Sequence, residues 1–341
     1  MDKSEQKKAV EGTCLNMCSV SEMKWRERNG LLHIFERKTD VKDKQIADPD
    51  KVVKQFTRSA AGKSYTSPSD LRPSPVLLAT MNYLVNEIIP KNIPYILVYD
   101  FVNDRIQGIR QDITIQMIED LNTLVIFEKC VRFYLLSSYL LCEEPSTVFD
   151  MHLNNKQLTI CLEKLMMLYS KFKNNNLCDF IAIYLSQKVV NSEIFHRALP
   201  LFKDYLSEPI VKLSIATCLA FTEGNFIKFF KLLKKLPLIL SFSFFCLFNQ
   251  VRLQAVRSMC IAFSSNVCKF PVETLNSWLS VPNKLYITEL CKSQNINIDE
   301  NYIYFNKKSF KCSEFYFLQK EIILDIKFEN IPYSTIINKF S

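Results

Sequence analysis

Glycine is scarce, with five residues in a chain of 341. Folds that cradle phosphates spend glycine on tight turns, and neither G-x-G-x-x-G nor G-x-x-x-x-G-K-[ST] occurs, which argues against dinucleotide-binding and P-loop chemistry. Histidine is scarcer still, at three, so the residue that most often supplies general bases and metal ligands is nearly missing. No signal-peptide core opens the sequence. The most apolar run, "LPLILSFSFFCLF" (236–248), falls short of the about 20 residues a membrane helix needs and reads as a buried helix. The 12 cysteines form no even, short-range framework, which points to a reducing cytoplasmic or nuclear compartment with thiols serving as small apolar side chains.

What is present favours helix. Apolar residues make up 48%, enough for a sizeable core, and 23% are charged. A glycine-poor chain rich in Leu, Ile, Phe and Lys is helical by propensity. The net charge of +8 is spread along the chain and permits weak affinity for anions without demonstrating it. Residues 1–12 form a polar tail. "ADPDKVVKQFTRSA" predicts a helix capped by Asp48, with Pro49 at its first position and Val52, Val53 and Phe56 inward. "SYTSPSDLRPSP" (64–75), with three prolines, is a connector. Ser74 and Pro75 open a helix with the stripe Leu77, Met81, Leu84, Val85 and Ile88, and from about 101 to 142 the pattern stays helical. Further helices follow at about 155–173, 178–190, 192–206, 210–222, 225–235 and 250–265, separated by short polar joints, as in a helical stack. Two short helices then flank Pro282, and "INIDENYIYFNKKSF" alternates as a hairpin around Asp-Glu-Asn. That order is a winged helix. One more helix and a frayed end are expected over 313–341. The expected organisation is thus a tail (1–12), a stack (13–270), a winged element (271–312) and a C-terminal helix (313–341).

In "DFVNDRIQGIRQDITIQ" (100–116), Val102, Ile106, Ile109 and Ile113 share a face, joined by Leu124, with Arg105, Asp112 and Gln116 on its flank. Half-buried charges must be paired. Arg105 and Asp112 lie two turns apart, so each needs partners from another segment, and the Arg58 and Asp70/Arg72 region offers them. A catalytic reading would want a histidine, metal or nucleophile beside these carboxylates, so an internal brace is the better account. Cys14 and Cys18 stand four apart in "GTCLNMC" with only His33 near, too few ligands for zinc; they read as packed thiols, and no metal or cofactor is expected. "FIKFFKLLKK" presents Lys228, Lys231, Lys234 and Lys235 among aromatics. A solvated amphipathic face is the simpler reading, and a single-stranded nucleic-acid surface the competing one. The winged element adds Lys284 and Lys292 but no arginine for major-groove readout, which suits a protein contact better.

"GTCLNMC", "EMKWRERN", "VKQFTRSAAGK", "DLRPSPVLLATMNYLV", "DRIQGIRQDITIQ" and "FEKCVRFYLL", taken in order, resemble the signature blocks of the domain shared by the germinal-centre-associated nuclear protein (GANP) and the Sac-three scaffold, over about Gly12 to Phe310. The sequence differs from the usual pattern at Ser19, Gln107 and Tyr134. The resemblance implies an all-α, tetratricopeptide/PCI-like stack closed by a C-terminal winged helix with a small β-hairpin. It implies that Asp104, Arg105, Arg110 and Asp112 brace that stack, and the pairing argument above adds Arg58, Asp70 and Arg72 to the brace. It further implies a non-enzymatic scaffold like the short Sac-three-domain member acting in centrosome duplication and spindle assembly, found in nucleus and cytoplasm and on the centrosome or spindle in mitosis. The alternative is a scaffold of nuclear, transcription-coupled mRNA export. Expected partners are a PCI-type winged-helix protein and a small acidic subunit, with weak RNA binding through the lysines above and Lys307, Lys308 and Lys311, and no membrane.

Overall fold

Helical periodicity becomes helix wherever the backbone amides have no stronger acceptor. The structure is a computed structural model that describes residues 10–38, 45–58, 67–265, 267–281, 283–311, 313 and 318–339. Residues 1–9 of the expected tail, 64–66 of the expected connector and the last two residues lie outside that set. Two compact units result. One comprises Met1–Phe133, Ile160–Lys173 and Pro332–Asn338, and the other Tyr134–Thr159, Asn174–Ile331 and Lys339–Ser341.

The first unit begins with α1 (Val20–Arg28), capped by Ser19, and a 3₁₀ turn at Ile34–Glu36. The helix expected after Asp48 does not form. Asp48 closes one turn, accepting from Lys51 N and Val52 N, and the chain then runs extended. Its next amides donate elsewhere: Val53 N to Glu36 Oε1 (3.1 Å), Lys54 N to Met17 O (3.0 Å), Gln55 N to Glu22 Oε1 (2.9 Å) and Phe56 N to Asp104 Oδ2 (3.3 Å). Charge-assisted acceptors outcompete the carbonyl four residues back. Val52 and Val53 are buried as expected, whereas Phe56 is half-buried.

Helix α2 (Ser74–Tyr83) opens on Pro75 and ends in a π turn, Leu84–Ile88; the predicted stripe from Leu77 to Ile88 is fully buried. The long pattern from 101 splits into α3 (Tyr95–Gln116) and α4 (Leu121–Leu140). Met117 takes a left-handed conformation (φ 51°), and Ile118 N reaches back to Ile113 O (3.0 Å), a Schellman-type stop made without glycine. Asp120 then caps α4 through Thr123 N (2.7 Å).

Beyond α5 (Met151–Tyr169), the second unit holds α6 (Leu177–Lys188), α7 (Ser192–Ala198), α8 (Pro209–Thr222), α9 (Phe226–Leu233), α10 (Leu238–Phe244) and α11 (Phe248–Ala262). Asn191 caps α7 and Asn225 caps α9. Helix α6 packs on α8 and α10, and α8 on α9, which is the stacked arrangement expected. Residues 238–262 are long and apolar enough to cross a membrane, but 78% of their most apolar window is buried within the protein. Strand β1 (Phe270–Pro271), α12 (Val272–Leu279), α13 (Lys284–Ser293), β2 (Asn297–Ile298) and β3 (Tyr302–Tyr304) follow, with sheet order β1-β3-β2, all antiparallel. Asp299 Oδ1 forms the hairpin turn by accepting from Asn301 N and Tyr302 N. This is a winged-helix arrangement.

The single C-terminal helix expected after 313 is two, α14 (Ile322–Phe328) and α15 (Tyr333–Asn338), divided at Pro332. In the second unit, Lys320 Nζ donates to Tyr139 O and Leu140 O at the end of α4, and Lys327 Nζ to Leu233 O and Leu236 O at the end of α9. Each lysine thus supplies a cation at the carbonyl end of a helix. In the first unit, α15 returns to α4, with Ile337 O accepting from Arg132 and Asn338 from Lys129.

Arg252 is the polar centre of the second unit. It is fully buried and holds both oxygens of Glu321 (2.6 and 2.8 Å). It also donates to Leu279 O and Ser280 O at the end of α12, and lies over the rings of Phe230, Phe248 and Tyr286. Removing one partner of a buried pair leaves an uncompensated charge. Glu321→Ala should therefore cost about 3–5 kcal/mol in a urea titration; a wild-type midpoint would show that the pair is not a structural anchor.

Candidate functional site

The charges in and around 100–116 form a buried network within the first unit, and its centre is two carboxylates. Asp112, fully buried on α3, accepts from Lys54 Nζ through Oδ1 (2.6 Å) and from Arg72 Nε through Oδ2 (2.7 Å). Glu36, also fully buried, pairs with Arg105 Nη2 (3.1 Å) and with Arg26 Nη2. Glu22 and Asp104 complete the set through Arg26 and Arg105. Four cations (Arg26, Lys54, Arg72, Arg105) thus face four carboxylates (Glu22, Glu36, Asp104, Asp112). Backbone carbonyls take further donors: Val53 O from Arg26, Asp70 O from Lys54 and Met17 O from Arg72. The network balances charge around its two fully buried carboxylates, with Glu22 and Asp104 partly exposed at its edge, which is what makes its burial tolerable.

Close backbone approach lets these side chains meet. At Gly108 a Cβ would lie 3.0 Å from Lys54 O, so the extended segment runs directly against α3. At Gly12 a Cβ would lie 2.4 Å from Leu71 O, which leaves no room for any other residue. Gly12 N donates to Gln116 Oε1 (2.8 Å), and Gln116 Nε2 donates to Arg72 O (2.8 Å). A glycine too few for phosphate chemistry is here spent on packing.

Of the residues expected to brace the stack, Arg72, Asp104, Arg105 and Asp112 come together. Asp70 contributes its carbonyl to Lys54, while its carboxylate accepts from Ser21 (3.1 Å). Arg58 does not join: it is exposed and forms no ion pair among the described residues, although its neighbour Thr57 is still bonded to Gln111 of α3. Arg110 is half-buried on another side of α3, toward the Cys130 and Cys161 thiols; burial is the largest influence on both and raises Cys130, and the charge of Arg110 opposes it. Sequence reasoning missed Glu36, Arg26, Lys54 and the Arg252–Glu321 pair. The signal for Glu36 lay in "HIFERK": a glutamate directly after a buried phenylalanine, closing a capping box with His33. Burial, and next the charge of Arg105, lower the His33 pKa, so the ring stays neutral and its Nδ1 accepts from Phe35 N.

Cys14 and Cys18 are both buried. Cys18 packs with Leu32, Ala47 and Val52, and burial pushes its thiol well above the usual range. That is the chemistry of an apolar side chain rather than a ligand.

The lysines lie in the second unit. Lys228, Lys231, Lys234 and Lys235 are exposed on and just beyond α9 and form no ion pair among the described residues. Asn225, Ile227, Lys228, Lys231, Leu232 and Lys235 line an open groove of about 490 Å³. Lys307, Lys308 and Lys311 are exposed on the loop after β3, which is tied to the end of α13 by Asn295 Nδ2 to Ser309 O (2.7 Å) and Lys311 N to Gln294 O (3.0 Å). Lys311 is thereby held at the end of α13 that carries Lys292, which is paired with Glu289, whereas Lys307 N donates to Ser264 Oγ beyond α11 (3.0 Å); exposed Lys284 sits at the other end of α13.

A family model described as the SAC3/GANP family matches residues 17–300. The chain belongs to the SAC3/GANP family. The match includes the charge network from Arg26 to Asp112, all of α9 and the helices of the winged element. Among curated relatives, SAC3 family protein B of Arabidopsis thaliana is 27% identical over 299 residues, covering 82% of this chain and 17% of the relative. SAC3 family protein 1 of Schizosaccharomyces pombe is 38% identical over 135 residues, 39% of this chain and 13% of the relative. Protein xmas of Drosophila melanogaster is 28% identical over 236 residues, 66% of this chain and 11% of the relative. The chain thus spans less than a fifth of the length of these relatives. The SAC3/GANP family is a family of scaffolds, and a network whose every carboxylate is committed to a structural cation suits a rigid support.

The members of the network are not equally replaceable. Asp112→Ala strands both Lys54 and Arg72 in a buried site and should cost about 3–5 kcal/mol. Arg105→Ala leaves Glu36 still paired with Arg26 and should cost less, about 1–3 kcal/mol. Thermal melts of both variants check the order; equal, wild-type-like melting would mean that the charges are free for another role.

Proposed function

We propose that this SAC3/GANP chain is a scaffold of the nuclear mRNA-export kind. In this reading the winged-helix end pairs with a PCI-type partner, and the two together offer a basic surface to RNA. The observation that carries the reading is the set of exposed lysines on the winged element, Lys292, Lys307, Lys308 and Lys311, the last three without an ion pair among the described residues. A helix-and-hairpin element edged by unpaired lysines suits a polyanion, and the surrounding helices hold it in a fixed geometry. Lysines act as strongly hydrated point charges, so the binding is to backbone phosphate, non-specific and steeply salt-dependent. A small acidic subunit belongs to the same reading. The nucleus is then the place of action. A scaffold of centrosome duplication and spindle assembly needs protein contacts alone, and it becomes the preferred reading if RNA is not bound.

Filter binding of a single-stranded RNA across a salt series, with and without a PCI-type partner, tests the proposal. Replacing Lys307, Lys308 and Lys311 together by glutamate should weaken binding about tenfold or more and reduce the slope of log K against log salt by about 2, since each lost phosphate contact removes about 0.7. The helical content should not change, because all three side chains are exposed. No RNA binding at low salt, with or without the partner, would remove the export reading.

A further inference from the structure

A second surface of the same unit has a different chemistry. The end of α12, one face of α14 and Lys234 at the end of α9 line a groove of about 520 Å³. Its lining includes Val281, Ile322, Ile323 and Ile326, and its rim carries Lys234. Ile322 is 54% exposed and Ile326 69% exposed, one turn apart on α14, so they form a continuous apolar stripe facing solvent. A stripe of that kind beside a cleft marks a contact surface.

Charge decides what fits. No carboxylate lines the groove among the described residues. The acidic groups of the neighbouring segment are turned away: Glu321 is held by Arg252, and Asp325 accepts from Tyr139 Oη (2.5 Å). Lys327 lies in the wall with its ammonium on Leu233 O, Leu236 O and Ser241 Oγ, and burial pushes its pKa down to about 8, so it is still charged at neutral pH. Lys234 on the rim is exposed and unpaired among the described residues, with Lys235 next to it. The site is therefore apolar along α14 and neutral and polar along α12, at Asn276, Ser277 and Ser280, and the charge it carries among the described residues is positive. RNA suits such a place poorly, since aliphatic isoleucines give bases no stacking platform.

We propose that this groove receives an acidic amphipathic helix from a partner protein, its apolar face on Ile322, Ile326 and Val281 and a carboxylate on Lys234. Helix-in-groove recognition of this type reads apolar anchors at i, i+3/i+4 and i+7 spacing, and the one-turn separation of Ile322 and Ile326 matches that ladder. The contact serves a scaffold in either pathway and does not depend on RNA binding.

The probe is a fluorescein-labelled peptide of about 18 residues, leucines on one helical face and glutamates on the other, titrated with the full chain by fluorescence polarisation. Its controls are a scrambled peptide of the same composition, a version with lysine for glutamate, and a labelled single-stranded RNA. The acidic peptide should bind about tenfold tighter than its scramble. Ile326→Glu should remove that preference while leaving the thermal melt and the RNA titration unchanged. Lys234→Glu should weaken the acidic peptide and strengthen the lysine version. Equal binding of peptide and scramble, or a peptide affinity untouched by Ile326→Glu, overturns the proposal. So does an RNA affinity that falls in Ile326→Glu by the same factor as the peptide's, which would make the groove part of a nucleic-acid surface. Failure of the RNA titration alone bears only on the export reading.

Discussion

Two carboxylates buried away from water, Glu36 and Asp112, hold the first unit to its shape. Each is shared by two cations drawn from different parts of the chain, so each ties at least three segments to one point. Desolvating so many charges is unfavourable by itself, and a set of apolar residues of the same volume would often be as stable. What the charges add is direction. A carboxylate that must satisfy both Lys54 and Arg72 admits one placement of the segments that carry them, where an apolar contact would admit several.

The consequence reaches the backbone. Residues 53–56 form no ladder and no helix, yet their amides are all satisfied, three of them by carboxylates of the network or its edge. Gly108 allows that segment to lie against α3, and Gly12 allows the N-terminal strand of chain to lie against Leu71. The second unit repeats the logic with the sign reversed. There one buried cation, Arg252, gathers Glu321 and the end of α12, while Lys320 and Lys327 close the carbonyl ends of α4 and α9. With its inner charges committed in this way, the protein displays outwardly a set of lysines and a pair of exposed isoleucines, and those are the features from which contacts with other molecules follow.

Much of this was legible in the sequence, for identifiable reasons. The stripe Val102, Ile106, Ile109 and Ile113 is buried as its 3.6-residue period requires, and Arg105 and Asp112 on its flank are buried with it. The hairpin was announced by alternation around Asp-Glu-Asn, and Asp299 does make that turn. Three features were not legible. The helix after Asp48 had correct capping chemistry, but its amides are claimed by side chains distant in sequence, and no local pattern records such competition. The break at Met117 lacks the glycine or asparagine that usually marks a left-handed stop. The Arg58 and Asp70/Arg72 region, expected to partner both Arg105 and Asp112, supplies Arg72 to Asp112, whereas Arg105 pairs with Glu36, whose capping box marks a turn but not which distant cation it meets.

If the network rather than local propensity fixes the extended segment, the amides of residues 53–56 must lose protection as a group when the network is weakened elsewhere. Amide hydrogen exchange in Asp112→Asn measures this most directly, because Asp112 touches none of those four amides and acts on the segment through the side chain of Lys54. The account requires Val53, Lys54, Gln55 and Phe56 to exchange faster together, by a common factor larger than that seen in the interior of α3. Wild-type protection at all four, or four unrelated changes, would contradict it.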